Sequence, residues 1–265
     1  LLICNILTKT CLFLQQFYAS SCLELGIYSK SSYFHHQSNC FTMIKQVFYF
    51  ATASMLLFSV ACTQAPDAPK AEAGAAQPSA ATTTDAVNYK VNTTSSLVNW
   101  VGTKPTGQHT GTFKLKDGSL AVAGDQIQSG NFVIDIASLS NTDQSGEDKQ
   151  HLEEHLKSAD FFDVAKNPEG KFEITAVKPF TPDPNQKAIE GATHTIEGNL
   201  TLKGVSKGIS FPAVVKIDPS GTLTAQSNFN INRKEWGMSY HADESLKDKF
   251  IRPEVNIGFS IVAAK

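Results

Sequence analysis

His151, Glu154 and His155 spell H-x-x-E-H, a spacing that could bring two imidazoles onto one metal ion and leave a carboxylate to act as base. That is the chemistry of a zinc hydrolase. The same stretch, HLEEHLKSADFFDV over residues 151–164, supports an incompatible reading. Leu152, Leu156, Phe161 and Phe162 would form the apolar side of a plug that closes a β-barrel, with the histidines on its polar side. A zinc site needs a further protein ligand, and His109, His194 and His241 are each isolated in the chain. No G-x-S-x-G, no glycine-rich phosphate loop and no cysteine after Cys62 offers other covalent or phosphate chemistry.

The elements around this stretch read as strands. Phe172, Ile174 and Ala176 alternate with Lys171, Glu173 and Thr175, and Ile196, Leu200 and Leu202 alternate with polar neighbours. Further period-two sets run through Ile209 to Ile217, Leu223 to Ile231 and Val255 to Ile261, and Val87 to Val91 and Leu97 to Val101 open the series. Phe113 and Leu115 precede Lys116-Asp117-Gly118, with Leu120 and Val122 after it, a pattern that predicts a hairpin turn. Phe132, Ile134 and Ile136 continue the sheet. About eight to ten short strands without long crossovers predict an all-β fold, an antiparallel meander closed into a barrel so that no edge stays open. One helix is expected over residues 146–158, where Leu152 and Leu156 have helical spacing and Glu147 and Asp148 complement the dipole at its start.

Composition and targeting signals bound the rest. The chain has 265 residues, a formal charge of -2 and 18% charged residues, with no basic patch, which argues against a nucleic-acid partner. Met43, Lys45 and the apolar run over residues 47–61 have the form of a signal peptide, and Ser59-Val60-Ala61-Cys62 resembles a lipoprotein processing site. Cys62 is thus the expected point of lipid attachment to a membrane. Residues 1–42 carry no coherent pattern and are expected to be upstream extension before a start at Met43. Residues 62–85, rich in Ala, Pro and Thr, are expected to form the lipidated cysteine and a disordered linker, and residues 86–265 one β domain.

Inward-facing positions of such a barrel could line a lumen for one slender apolar ligand. The candidates are Phe113, Phe132, Ile134, Phe172, Ile174 and Leu200 on the first strands, Phe211, Phe229, Ile231 and Phe259 on the later ones, and Leu156, Phe161 and Phe162 from the plug. Trp236 joins the set, although it and Trp100 are more often core plugs than ligand stackers. The chain has two arginines, Arg233 and Arg252. Arg233 shares parity with Phe229 and Ile231, so it could meet a charged head group at a barrel mouth, or else pair with Glu235, Asp243 or Glu254. A barrel filled solid by these side chains, serving as a structural envelope lipoprotein, is the remaining alternative.

The blocks HLKSADFFDV (155–164), GNLTLKGVSK (198–207) and FNINRKEWGMSY (229–240), with TTSSLVNWVGTKPTGQHTGTFKLKDG (93–118) before them, resemble the YceI-like family of bacterial periplasmic lipid-binding proteins. The resemblance covers the whole expected domain. It implies a lipocalin-like antiparallel barrel of about eight strands whose pore holds a polyisoprenoid, such as an isoprenoid quinone or a polyisoprenyl phosphate, with no cofactor and no covalent chemistry. The family's motifs fall on His155-Leu156, Asp160-Phe161-Phe162, Asn232-Arg233 and Trp236-Gly237, and leave His151 outside. The segment FTPDPNQKAIEGATH (180–194) departs from the family and reads as a surface loop.

Overall fold

A computed structural model describes residues 64–80, 84–184 and 187–265. The expected upstream extension, signal peptide and Cys62 lie outside the described residues. Among the described residues no helix is long and apolar enough to cross a membrane.

Nine strands form one antiparallel sheet: β1 (Val87–Val91), β2 (Leu97–Lys104), β3 (Gly107–Ala123), β4 (Gln126–Asn141), β5 (Glu169–Pro179), β6 (His194–Leu202), β7 (Val205–Ile217), β8 (Leu223–Asn232) and β9 (Glu254–Ala264). Each strand from β2 to β9 pairs with the next in sequence, and β9 returns to β2, so the sheet closes on itself. β1 pairs with the far ends of β3 and β9 and takes up the place that β2 leaves vacant between them. The result is an eight-position up-and-down barrel with no free edge, as the alternation implied. Two 3-10 helices, Arg233–Trp236 and Glu244–Lys249, lie between β8 and β9.

The expected hairpin at Lys116-Asp117-Gly118 is not there. β3 runs straight through it, and the pairing with β4 slips by one residue between Leu115 and Asp117. A bulge of this kind explains the sequence equally well, because it lets the inward set change from Phe113 and Leu115 to Leu120 and Val122 without a reversal of the chain. The actual turn follows Ala123, where Gly124 adopts φ +59°.

The helix, α1 (Gly146–Lys157), matches the expected one and has no fully buried residue. It is anchored at its root by Asn141, which is fully buried. The Asn141 amide donates to the Thr110 carbonyl (2.9 Å) and to Asp143 Oδ1 (2.6 Å), and its backbone N–H donates to Glu153 of α1 (2.8 Å). Asn141 thus spends its main-chain N–H and its side-chain amide on fixing the root of the helix.

The stretch expected to be a disordered linker is not free of the barrel over residues 66–77. Ala71 N–H donates to the Asn230 carbonyl (2.8 Å), Asn230 N–H donates to the Pro69 carbonyl (2.8 Å), and Gly74 exchanges two backbone bonds with Gly208. Asn199 and Gln77 exchange a further pair, each 2.8 Å. Composition missed this because main-chain bonds, not apolar side chains, hold the strap; its partners are outward-facing asparagines. The crossing also requires Gly208, since a Cβ there would lie 2.5 Å from the Ala75 carbonyl oxygen.

Candidate functional site

The inward faces of the strands enclose two adjacent chambers. The larger, about 270 Å³, lies at the barrel end covered by α1. Phe113, Ile134, Leu200 and Ile231 of the strands line it, together with Leu152, His155, Leu156, Phe161 and Phe162 from α1 and the turn after it. The deeper chamber, about 90 Å³, is walled by Phe132, Ile134, Phe172, Ile174, Leu200, Phe211, Phe229 and Phe259 among others, and carries no polar side chain. Val98, Ile134, Leu200 and Ile257 belong to both walls, where the two chambers adjoin. Phe132, Ile134, Phe172 and Phe259 point inward yet are only half-buried, because their free surface faces the lumen. Thus the barrel is not filled solid by its own side chains.

Aromatic rings organise both chambers. Phe211 and Phe229 stack at 4.2 Å with planes 8° apart, and Phe259 meets Phe211 edge-on at 5.7 Å. At the mouth, Phe162 meets Phe113 edge-on at 5.5 Å. The turn that delivers Phe161 and Phe162 is fixed by Asp163 at φ +47° and by Phe162 N–H donating to the Leu156 carbonyl (3.1 Å). His155 packs edge-on against Phe161 (5.2 Å) and Tyr240 (4.8 Å) while its Nε2 meets Asp160 at 3.1 Å.

Arg233 is buried at the mouth with its guanidinium 5.5 Å from the Phe161 ring. None of the expected acidic partners pairs with it. Instead its Nη2 donates to the carbonyls of Tyr240 (2.8 Å) and Ile251 (2.9 Å), its Nε to Arg252 (3.3 Å) and its Nη1 to Met238. Burial lowers its pKa to about 10, which still leaves it charged at neutral pH. Arg233 therefore ties down the segment between β8 and β9 and leaves a positive charge in the chamber wall without a carboxylate.

Trp236 lies outside both chambers. It falls in the 3-10 helix after β8, is fully buried, and donates its Nε1 to the Leu200 carbonyl (2.9 Å), so it bolts that helix onto the barrel. The other lumen candidates named from the sequence all line one chamber or both. Sequence reasoning missed Thr103, His109, Met238, Ile251 and Arg252 in the mouth wall, and favoured a core plug over a ligand contact for Trp100, which is also in that wall. Parity could have placed Trp100 inward with Val98. Nothing in the sequence places Thr103, whose carbonyl is bonded by Arg252 N–H (2.9 Å) where the chain before β9 folds over the strand end.

The zinc pattern does not assemble. His151 and Glu154 are exposed on α1 away from the chamber, and His155 is engaged by Asp160. Among the described residues no three His, Cys, Asp or Glu side chains converge as metal ligands.

The model of the YceI-like domain matches residues 89–263. The chain belongs to the YceI-like family. It is 33% identical over 148 residues to a UPF0312 protein of Serratia proteamaculans, a match that covers 52% of this chain and 67% of that one. A UPF0312 protein of Pseudomonas putida is 35% identical over 133 residues, covering 48% of this chain and 62% of its own length. The fold is also that of BcnA from Burkholderia cenocepacia, with a TM-score of 0.50, 22% identity, and coverage of 65% of this chain and 98% of BcnA.

Proposed function

We propose that this YceI-like barrel binds a long isoprenoid lipid, as a carrier or sequestering protein of the bacterial envelope, and does no covalent chemistry on it. The observation that carries this reading is the two-chamber lumen, whose deep part exposes only hydrocarbon and aromatic surface and whose mouth is also mainly apolar but alone carries charged and polar side chains. An extended, branched apolar chain suits such a shape better than a compact ligand. Burying about ten ligand carbons at ~0.8 kcal/mol each contributes ~8 kcal/mol before association costs, enough for useful affinity. Phe113, Phe162, Leu156 and Ile231 would hold the head-proximal part of the chain, and Phe132, Phe172, Phe211, Phe229 and Phe259 its far end. In this reading the protein is exported, and acylation of Cys62 joins it to a membrane.

Purification of the full-length protein from a bacterial host, followed by solvent extraction and mass spectrometry, is expected to recover an isoprenoid lipid near one per protein. Absence of any such lipid, together with failure of the extracted protein to take one up from micelles, would sink the reading. Mass analysis of the N-terminal peptide tests the acylated Cys62 separately.

A further inference from the structure

β7 and β8 do not stay paired along their whole length. Among the described residues they pair from Val214↔Gln226 to Ile217↔Leu223, whereas β7 stays paired with β6 as far as Val205 and β8 with β9 as far as Asn232. Pro212 marks the parting: it brings no N–H, and its carbonyl takes a side-chain bond from Ser227 Oγ (2.6 Å) in place of a ladder bond. From there to the mouth end the two strands face a seam, and the strap fills it. Pro69 and Ala71 bond the two main-chain groups of Asn230, parallel to β8, and Gly74 bonds both of Gly208, antiparallel to β7. Those are the directions that a strand set between them would take. Ala71 is 3% exposed and joins the barrel core.

The seam opens onto the lumen wall. Ile209 and Phe229, next to the two residues that anchor the strap, line the deep chamber, and Ile231 lines the mouth chamber. Phe211 of β7 and Phe229 of β8 stack across the seam on its inner side. We propose that the strap is a lateral gate: residues 66–77 detach, the seam between β7 and β8 opens, and the apolar ligand passes there rather than under α1. Passage rests on the lumen-binding reading above; detachment does not. The two covers of the lumen differ in how they are held. At the mouth, Leu152, Leu156, Phe161 and Phe162 set apolar surface against the chamber, and Arg233 ties four carbonyls. The strap sets Ala71 and Ala73 against the core and is otherwise held by hydrogen bonds at Asn199, Gly208 and Asn230. A segment with so little apolar burial opens well below the free energy of global unfolding.

Hydrogen exchange on the full-length protein tests the detachment without any substitution. The N–H groups of Gly208 and Asn230 donate to the strap, whereas Ile209 and Ile231, one residue along, turn theirs to β6 and β9. Gly208 and Asn230 are expected to exchange together with Ala71 and Gly74, and about tenfold or more faster than Ile209 and Ile231. Uniform protection of all six overturns the gate. For passage, the apolar dye N-phenyl-1-naphthylamine is mixed with lipid-extracted protein and its fluorescence followed in time. Gly208→Ala sets a Cβ against the Ala75 carbonyl oxygen, and Asn199→Ala removes the two bonds to Gln77; both residues lie off the chamber walls. Each should quicken uptake and release alike, by roughly three- to tenfold, so that the dissociation constant stays within about twofold of the parent's. Parent-like rates in both variants, or quickening by Phe162→Ala at the mouth alone, overturn passage through the seam and leave the lumen reading intact. A parent protein that takes up no dye overturns the lumen reading and passage together, and exchange still decides whether the strap opens.

Discussion

The deep chamber is walled by strand residues alone, each fixed by its place in a closed ladder, whereas the mouth chamber takes Leu152, Leu156, Phe161, Phe162, Arg233, Met238 and Ile251 from segments between strands. The first is a stiff hydrocarbon sleeve, and the second is assembled by capping bonds, a strained turn and one buried arginine. Capacity for an apolar chain therefore belongs to the barrel, while choice of what enters belongs to parts that can change without altering the ladder.

Substitutions should separate the two. Phe211→Ala removes a fully packed ring from the Phe211–Phe229 stack and is expected to cost about 3–5 kcal/mol in denaturant unfolding, far more than Phe162→Ala at the half-buried mouth position. Equal losses at the two sites would erase the contrast. Arg233→Met leaves the carbonyls of Met238, Tyr240, Ile251 and Arg252 without their donor, so stability should fall by about 2–4 kcal/mol, with protease cleavage appearing first between β8 and β9. Ile134→Phe adds bulk where the two chambers adjoin; if a long isoprenoid occupies both, its uptake should drop about tenfold, or ~1.4 kcal/mol, with a short-chain analogue unaffected.

The smallest effect concerns Asp143 at the rim. Burial raises its pKa, but hydrogen bonds from Thr110 N–H, His109 and Asn141 outweigh that and hold it below the ordinary value. A carboxylate depressed in the folded state adds stability that is full above its unfolded pKa of about 3.9 and is lost as pH falls through the lower folded value. Asp143→Asn should accordingly narrow its gap to the parent only under acid conditions, as read by thermal unfolding from neutral pH downward.

Sequence periodicity revealed the sleeve because a strand with one buried face repeats every second residue, as Phe172, Ile174 and their neighbours do. It misjudged Asp117-Gly118, since a bulge and a turn both switch parity. The mouth was half legible. Family motifs marked Leu156, Phe161, Phe162 and Arg233, but the arginine's partners are backbone carbonyls, which no residue pattern encodes. Thr103 and Arg252 meet only because a loop folds over a strand end. The strap over residues 66–77 was invisible for the same reason: its bonds are main-chain.

That strap shortens a leash. Were residues 63–85 free, they could reach ~80 Å; with Pro66 already bonded by the Asn230 amide, residues 62–66 reach at most ~14 Å. Asn230 lies close in the chain to Arg233, so the short end leaves the barrel wall beside its mouth. Anything that grips Cys62 would thus hold the opening within a few nanometres of itself, and delivery of a lipid would depend on the barrel's tilt rather than on its distance from the surface.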